Sequence, residues 1–193
     1  MANSVKFGLS KAYYAVYNEA EGTYGKPVAM PGAKSMSISA EGDESSFYAD
    51  NIVYYSTNTN AGYSGDFELA EAPESVYVDL LGQVKDANGV LLESTDDKQV
   101  TFALLYEVEG NVKNQRFVFY NCTLSRPDTE ANTTEDTTEP DTDTLKVRMV
   151  SREVVYGTGK KNVVKGSVTD AEATKAIYDK WYDNVYMPSE AAA

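Results

Sequence analysis

The sequence predicts a mainly β protein, an antiparallel β-sandwich or partly closed barrel with one flanking helix and a C-terminal helix. Several segments alternate apolar and polar residues with a period of two, turn residues separate them at short intervals, and only two segments have helical spacing. At 193 residues with a hydrophobic fraction of 42%, the chain is long enough for one domain with a substantial core.

The first two clear strands carry their polar residues on one face. "KSMSISA" (34–40) alternates apolar residues with serines, and "GYSGDFELAE" (62–71) places Asp66 and Glu68 opposite its apolar side chains. An ordinary solvated face is one interpretation of these two carboxylates.

A long hairpin is predicted in the middle of the chain. Residues 100–124 alternate on both sides of a turn at 109–111, and a further strand begins in "TLKVRMVSREVV" (144–155). We expect this strand to pair with the end of 100–124, which makes residues 128–143 a long loop at the tip.

Two helices interrupt the strand pattern. The segment 71–83 has an i,i+4 apolar stripe between a proline and a glycine, the order typical of helix ends. The segment 168–186 has Thr169 and Glu172 in the spacing of a capping box. Its expected apolar stripe is Ala173, Ile177 and Trp181.

The loop 128–143 is strongly acidic and has no large apolar residue, so we expect it to be flexible in the isolated chain. In one interpretation its carboxylates contact lysines of an adjacent copy; in the other, which single-sign charge runs favour, it is a solvated tip. The carboxylates are Asp128, Glu130, Glu135, Asp136, Glu139, Asp141 and Asp143, and the lysines are Lys160, Lys161 and Lys165.

The composition excludes several classes of site. There is no histidine, which excludes Ser-His-Asp and Cys-His catalysis and histidine-ligated metals. The single cysteine, Cys122, excludes an internal disulfide and is expected to be a small buried hydrophobe. "GTGKKNVVKG" (157–166) lacks phosphate-loop spacing and is interpreted as a basic turn. We therefore predict no enzyme activity, no cofactor and no metal.

The net charge of −13 argues against a nucleic-acid-binding protein, because an acidic surface repels phosphate. No signal peptide and no membrane span are recognised, which predicts a soluble cytoplasmic product. The fifteen tyrosines are either sheet formers or residues of protein–protein contacts. We expect a single domain over 1–193, with an N-terminal arm of about 1–11 and a C-terminal helix and tail of about 169–193.

The order of motifs resembles that of the major tail proteins of long-tailed phages of Gram-positive bacteria. "SFYADNIVYYSTNTNAGYSGDFELAEAPESVYVDLLG" (46–82) has an "ADN" turn, a strand, a glycine-rich turn with a second strand, and a short helix ending in "LLG". The opening "VKFGLSKAYYAVYN", the hairpin from Phe102 to Leu124 and the "SRP" after it also fit that order. The resemblance covers about residues 1–165.

This resemblance implies a tail-tube fold that assembles as sixfold rings, which stack into a tube through which DNA passes without specific binding. An acidic lumen would repel the passing phosphates, and Asp66 and Glu68 are candidates to face it. It also implies contacts with tape measure, terminator and distal tail proteins, a location in the phage virion tail, and assembly in the host cytoplasm. The alternatives are an extracellular β-sandwich adhesin or carbohydrate-binding module, an acid-base hydrolase using two carboxylates, and a ring-forming tail terminator.

Overall fold

The architecture is described from a computed structural model, which covers residues 3–129, 133, 140–156 and 159–188. It contains fifteen strands, two α-helices and one 3₁₀ turn in these ranges. The strands are β1 (Lys6–Asn18), β2 (Thr23–Tyr24), β3 (Val28–Ala29), β4 (Ala33–Glu41), β5 (Glu44–Ala49), β6 (Ile52–Asn58), β7 (Gly62–Leu69), β8 (Val84–Lys85), β9 (Leu91–Leu92), β10 (Phe102–Gly110), β11 (Gln115–Leu124), β12 (Asp143–Val150), β13 (Arg152–Tyr156), β14 (Gly159–Val163) and β15 (Lys165–Thr169).

One nine-stranded antiparallel sheet organises the molecule. Its hydrogen-bonded order is β2-β1-β10-β11-β12-β7-β4, with β3 also on β1 and β15 also on β11. The sheet does not close into a barrel, because β2 and β4 stay at opposite ends of this order. Three two-stranded ribbons, β5–β6, β8–β9 and β13–β14, complete the strands. The predicted mainly β, antiparallel class is confirmed.

The predicted hairpins are present with the predicted faces. β10 pairs with β11, and β11 pairs with β12 from Asn121–Val150 to Leu124–Val147, so residues 128–143 connect two paired strands. β1 already pairs with β10 at Lys6, which places the second half of the expected N-terminal arm in the sheet.

Successive residues of the central strands contribute to two different cores, because side chains alternate across a sheet. Leu104 belongs to the first core, which includes Phe67, Leu80 and the buried Cys122. Leu105 belongs to the second core, on the opposite face of the sheet. Cys122 is fully buried, as predicted for a small hydrophobe.

Helix α1 (Glu74–Leu81) has the predicted position and closes one side of the first core. It follows Pro73 and ends at Gly82, whose φ of 78° is the left-handed conformation that glycine adopts without a Cβ penalty. Tyr14 of β1 donates a 2.6 Å hydrogen bond to Asp79 of the helix. Burial and this hydrogen bond raise the pKa of Tyr14 to about 12, so the phenol stays protonated and joins helix to sheet.

The predicted C-terminal helix is much shorter than expected. The structure has a 3₁₀ turn at Glu172–Thr174 and an α-helix, α2, only over Lys175–Asp179. The predicted capping box is wrong, because Thr169 is the last residue of β15 and pairs with Gln115.

Of the predicted apolar stripe, Trp181 is buried, but Ala173 and Ile177 are exposed. Tyr178 and Val185 are buried together with Trp181. They place the C-terminal segment, defined here as Lys175–Pro188, over the second core.

Candidate functional site

The two carboxylates predicted to face a polyanion lie side by side on the outward face of β7. Three rows of cross-strand neighbours form this face, which we call the hydroxyl face because serine and threonine dominate it. Its rows are Ser35–Glu68–Thr144, Ser37–Asp66–Lys146 and Ser39–Ser64–Arg148. Gly65 allows β4 and β7 to lie close together, since a Cβ there would meet the carbonyl oxygen of Ser37 at 2.0 Å.

Basic residues balance both carboxylates of the hydroxyl face. The Glu68 carboxylate accepts hydrogen bonds from Lys34 at 2.7 Å, Ser35 at 2.8 Å and Thr142 at 2.6 Å. These bonds, that from Lys34 foremost, lower the pKa of Glu68 to about 2. Asp66 lies opposite Lys146 in the strand register. With Lys146 and Arg148 beside them, the two carboxylates do not make this face acidic.

The described parts of the acidic loop make contacts within their own chain. Asp128 forms an ion pair with Lys146 at 2.9 Å, which lowers the pKa of the aspartate. Asp143 accepts a 2.7 Å hydrogen bond from the backbone amide of Ala72, so it fixes the start of β12 to the loop before α1. Asp141 is also among the described residues. Glu130, Glu135, Asp136 and Glu139 lie outside the described residues.

The predicted lysine cluster divides into two parts. Lys160 pairs with Glu153 of the neighbouring strand at 2.6 Å. Lys161 lies over the ring of Tyr156 with its ammonium 5.3 Å from the ring centre, and Lys165 lies 4.7 Å from the ring centre of Tyr63. Neither of these two forms an ion pair with any residue that the structure describes.

Lys161 and Lys165 line an open groove of about 420 Å³, which we call the aromatic groove. Its floor and walls include Tyr63, Tyr120, Tyr156, Trp181 and Tyr186. No acidic side chain lines it in the described ranges. The groove therefore combines aromatic surface with two cationic groups that have no carboxylate partner there.

The β5–β6 ribbon, which we call the aromatic hairpin, is the most exposed apolar part of the described chain. Every residue from Glu44 to Asn58 is exposed except the half-buried Ala49. Its turn residues Asp50 and Asn51 have φ values of 52° and 64°, as expected for a tight hairpin turn. The exposed apolar side chains are Phe47, Tyr48, Ile52, Val53, Tyr54 and Tyr55. Exposed apolar side chains grouped in this way are typical of interaction sites.

A buried ion pair lies beneath the C-terminal segment and was not predicted. The Arg116 guanidinium donates a hydrogen bond to the Glu107 carboxylate at 2.5 Å and a second one to the carbonyl oxygen of Tyr178. The hydroxyl of Tyr178 donates to the same carboxylate at 2.9 Å. Lys11 adds a hydrogen bond of 2.7 Å. Burial alone would raise the pKa of Glu107, but the hydrogen bonds from Lys11, Arg116 and Tyr178 outweigh it and keep that pKa low. The available sequence signal was that Ala103 and Leu105, which share the strand face of Glu107, are apolar, so this face is not an ordinary solvated one.

Comparison with known protein families matches residues 2–190 to the family described as phage tail tube protein. The chain belongs to this family. The match covers nearly the whole sequence and confirms the resemblance inferred from the motif order. A comparison with curated proteins gave no match.

Membership in the phage tail tube protein family makes this chain a structural protein of the virion tail. It implies self-assembly and association with other tail proteins, and it indicates a role other than catalysis. Within the described residues, no group of carboxylate or cysteine side chains is arranged to hold a metal ion. None of the described helices has the length and apolar character that a membrane span requires.

Proposed function

We propose that this tail tube protein forms sixfold rings that stack into the tube through which the phage genome leaves the virion. Assembly takes place in the host cytoplasm, and the tube contacts the tape measure, terminator and distal tail proteins. DNA passes without specific binding, because a chain with a net charge of −13 repels phosphates.

The observation that carries this proposal is that two strands of the main sheet, β4 and the first part of β1, have no hydrogen-bonded strand on one side, although the two lie close to each other. The nine residues of β4 pair with β7 on one side and with no described strand on the other. At the opposite end, the first part of β1 pairs only with β10. Unpaired edges of this length are templates for another chain, and joining them head to tail in a closed rotation makes a ring.

The hydroxyl face supports an assignment to the lumen. In this proposal Asp66 and Glu68 line the bore together with the serines and threonines of the same rows. Neighbouring lysines compensate the charge of these two carboxylates. The bore would then let DNA slide because its short neutral hydroxyls give little net attraction for phosphate. This differs from the acidic lumen that was expected from the resemblance.

For the acidic loop, we propose a solvated tip that makes no contact with an adjacent ring. Because Asp128 and Thr142, near its two ends, are bonded to Lys146 and Glu68 of the hydroxyl face, the loop leaves the sheet on the side of that face. Asp128 and Asp143 are bonded within their own chain, which leaves two fewer carboxylates for an adjacent ring. Lys160 is likewise paired with Glu153. A variant lacking residues 129–140 should therefore still form normal tubes, and loss of stacking in that variant would support the inter-ring alternative.

Negative-stain electron microscopy of the purified chain over a range of protein and salt concentrations tests the proposal. We expect hollow tubes of uniform diameter or stacked sixfold rings. A chain that stays monomeric at high concentration and binds glycans would contradict it, in favour of a carbohydrate-binding module.

Proline substitutions in β4 test ring closure through the edge. Because successive amides of a strand point to opposite sides, Ser37→Pro and Ile38→Pro each remove a donor from a different side. Only one of them breaks the ladder with β7; the other should leave the monomer folded and abolish rings. Rings that form with both variants would rule out edge pairing through β4.

A further inference from the structure

The aromatic hairpin and the aromatic groove are complementary in charge, and both are rich in aromatic side chains. The hairpin carries Glu44 and Asp50, with Asp43 at its base, and has no lysine or arginine. The groove carries Lys161 and Lys165 and no acidic side chain in the described ranges. One surface is therefore a projecting acidic and aromatic ribbon, and the other is a basic and aromatic depression.

We propose that the aromatic hairpin of one copy docks in the aromatic groove of a neighbouring copy. This inference rests on the proposed self-assembly and names the surfaces that meet. Aromatic side chains such as Tyr54, which is 70% exposed, would lie against Tyr156 and Tyr186, and the hairpin carboxylates would approach Lys161 and Lys165. Tyrosine and tryptophan are enriched in such contacts because they bury a large apolar area and keep a polar end.

The position of the two surfaces in the fold determines which neighbour is contacted. The hairpin leaves the sheet between the end of β4 and the start of β7, and Asn60 and Tyr63 at that junction also line the groove. Hairpin and groove thus lie at the same end of the sheet. Copies that stand side by side in one orientation bring them to the same level, so the contact joins neighbours within a ring, next to the β4 edge.

The local geometry of Tyr54 also fits an outward contact. In the β5–β6 register, Phe47 faces Tyr55 and Tyr48 faces Val53, which leaves Tyr54 as the extra residue of a bulge. A bulged residue has no cross-strand partner to pack on, so its ring is available to another molecule.

Cysteine crosslinking tests the contact directly. Cys122 is fully buried and burial raises its pKa, so a thiol reagent reacts with introduced cysteines instead. Chains carrying Tyr54→Cys are mixed with chains carrying Lys161→Cys, assembled, and treated with a short bis-maleimide. We expect a crosslinked pair that contains one chain of each kind. The matched control is Ser37→Cys, an exposed position of the hydroxyl face, in place of Lys161→Cys.

The outcomes separate this inference from the proposed function. Rings or tubes with crosslinks at Lys161→Cys well above the control support the contact. Rings or tubes without that excess, or with crosslinks at Ser37→Cys instead, overturn the contact and leave the tube function intact. Failure of the unmodified chain to form rings or tubes overturns the proposed function and the contact with it.

A charge-reversal variant provides a second readout. Lys161→Glu with Lys165→Glu should raise the protein concentration needed for assembly at least tenfold, while thermal unfolding of the monomer stays unchanged. The matched control is Lys98→Glu with Lys113→Glu, which changes the net charge by the same amount at exposed positions outside the groove. This control variant should assemble as the unmodified chain does. Equal assembly of both double variants would contradict the contact.

Discussion

The C-terminal segment and the aromatic hairpin are alike in composition and opposite in surroundings. Each has four aromatic side chains: Tyr178, Trp181, Tyr182 and Tyr186 in the first, and Phe47, Tyr48, Tyr54 and Tyr55 in the second. In the C-terminal segment the aromatics pack on the sheet and on a buried ion pair. In the hairpin all four are more than 60% exposed. The comparison shows that aromatic content alone does not distinguish an intramolecular cover from a surface left for another chain.

What distinguishes the two regions is the sheet beneath them. The sheet face under the C-terminal segment carries the small residues Ala15 and Ala103, which leave room for aromatic rings. It also carries Arg116, whose guanidinium carbon lies 3.8 Å from the ring centre of Tyr178. The described part of the chain provides no such counterpart for the hairpin tip. We therefore expect the C-terminal segment to stabilise the monomer and the aromatic hairpin to stabilise only the assembly.

The largest effect on monomer stability is expected for Trp181→Ala. Trp181 is 3% exposed and its indole N–H donates to the carbonyl oxygen of Phe117 at 3.3 Å. Truncating a buried tryptophan leaves a cavity, and we expect the free energy of unfolding to fall by about 3–5 kcal/mol. Urea denaturation of the monomer measures this. Ile177→Ala, in the same segment but exposed, should change it by less than about 1 kcal/mol, and an equal loss in both variants would contradict the assignment.

The next largest effect is expected for Glu107→Gln. The carboxylate is almost fully buried, and its neutralisation leaves the charge of Arg116 without a partner. We expect the free energy of unfolding to fall by about 3 kcal/mol, as when one partner of a buried ion pair is removed. Glu109→Gln, two residues along the same strand and exposed, is the matched control and should be nearly neutral. A neutral Glu107→Gln would mean that the ion pair does not hold the C-terminal segment to the sheet.

A smaller effect is expected on the pH dependence of stability. The pKa of Glu107 in the folded chain lies below its ordinary value of 4.5, so its stabilising contribution is complete above that pH and is lost as the pH falls through the folded pKa. The difference in unfolding free energy between the unmodified chain and Glu107→Gln should therefore narrow in acid. Unfolding curves measured between neutral pH and pH 3 test this, and a constant difference would mean that folding does not lower the pKa of Glu107.

The sequence predicted those strands that have one polar and one apolar face. It predicted secondary structure less well where contacts with the sheet determine the backbone conformation. β4, β7 and β12 were predicted from alternation because one face is polar and the other packs on the first core. The C-terminal helix was predicted too long, because Thr169 continues a strand and Tyr178 and Trp181 are fixed by the sheet instead of by helical spacing.

The site residues depended on spatial partners that spacing does not give. Nothing in the local sequence indicates that Lys160 pairs with Glu153 while Lys161 faces a groove. Likewise, the carboxylate of Glu68 could not be known to lie between Lys34 and Thr142, which come from distant segments.

The smallest effect on monomer stability, within about 0.5 kcal/mol, is expected for Tyr54→Ser. The ring of Tyr54 is 70% exposed and has no cross-strand partner, so its loss removes little buried area from the folded monomer. The same variant should assemble poorly if the hairpin docks on a second copy, while Tyr54→Phe, which keeps the ring, should assemble normally. Denaturation at a protein concentration below assembly separates the two effects. A loss above about 1.5 kcal/mol would place the hairpin in the monomer's own core and would remove the contrast with the C-terminal segment.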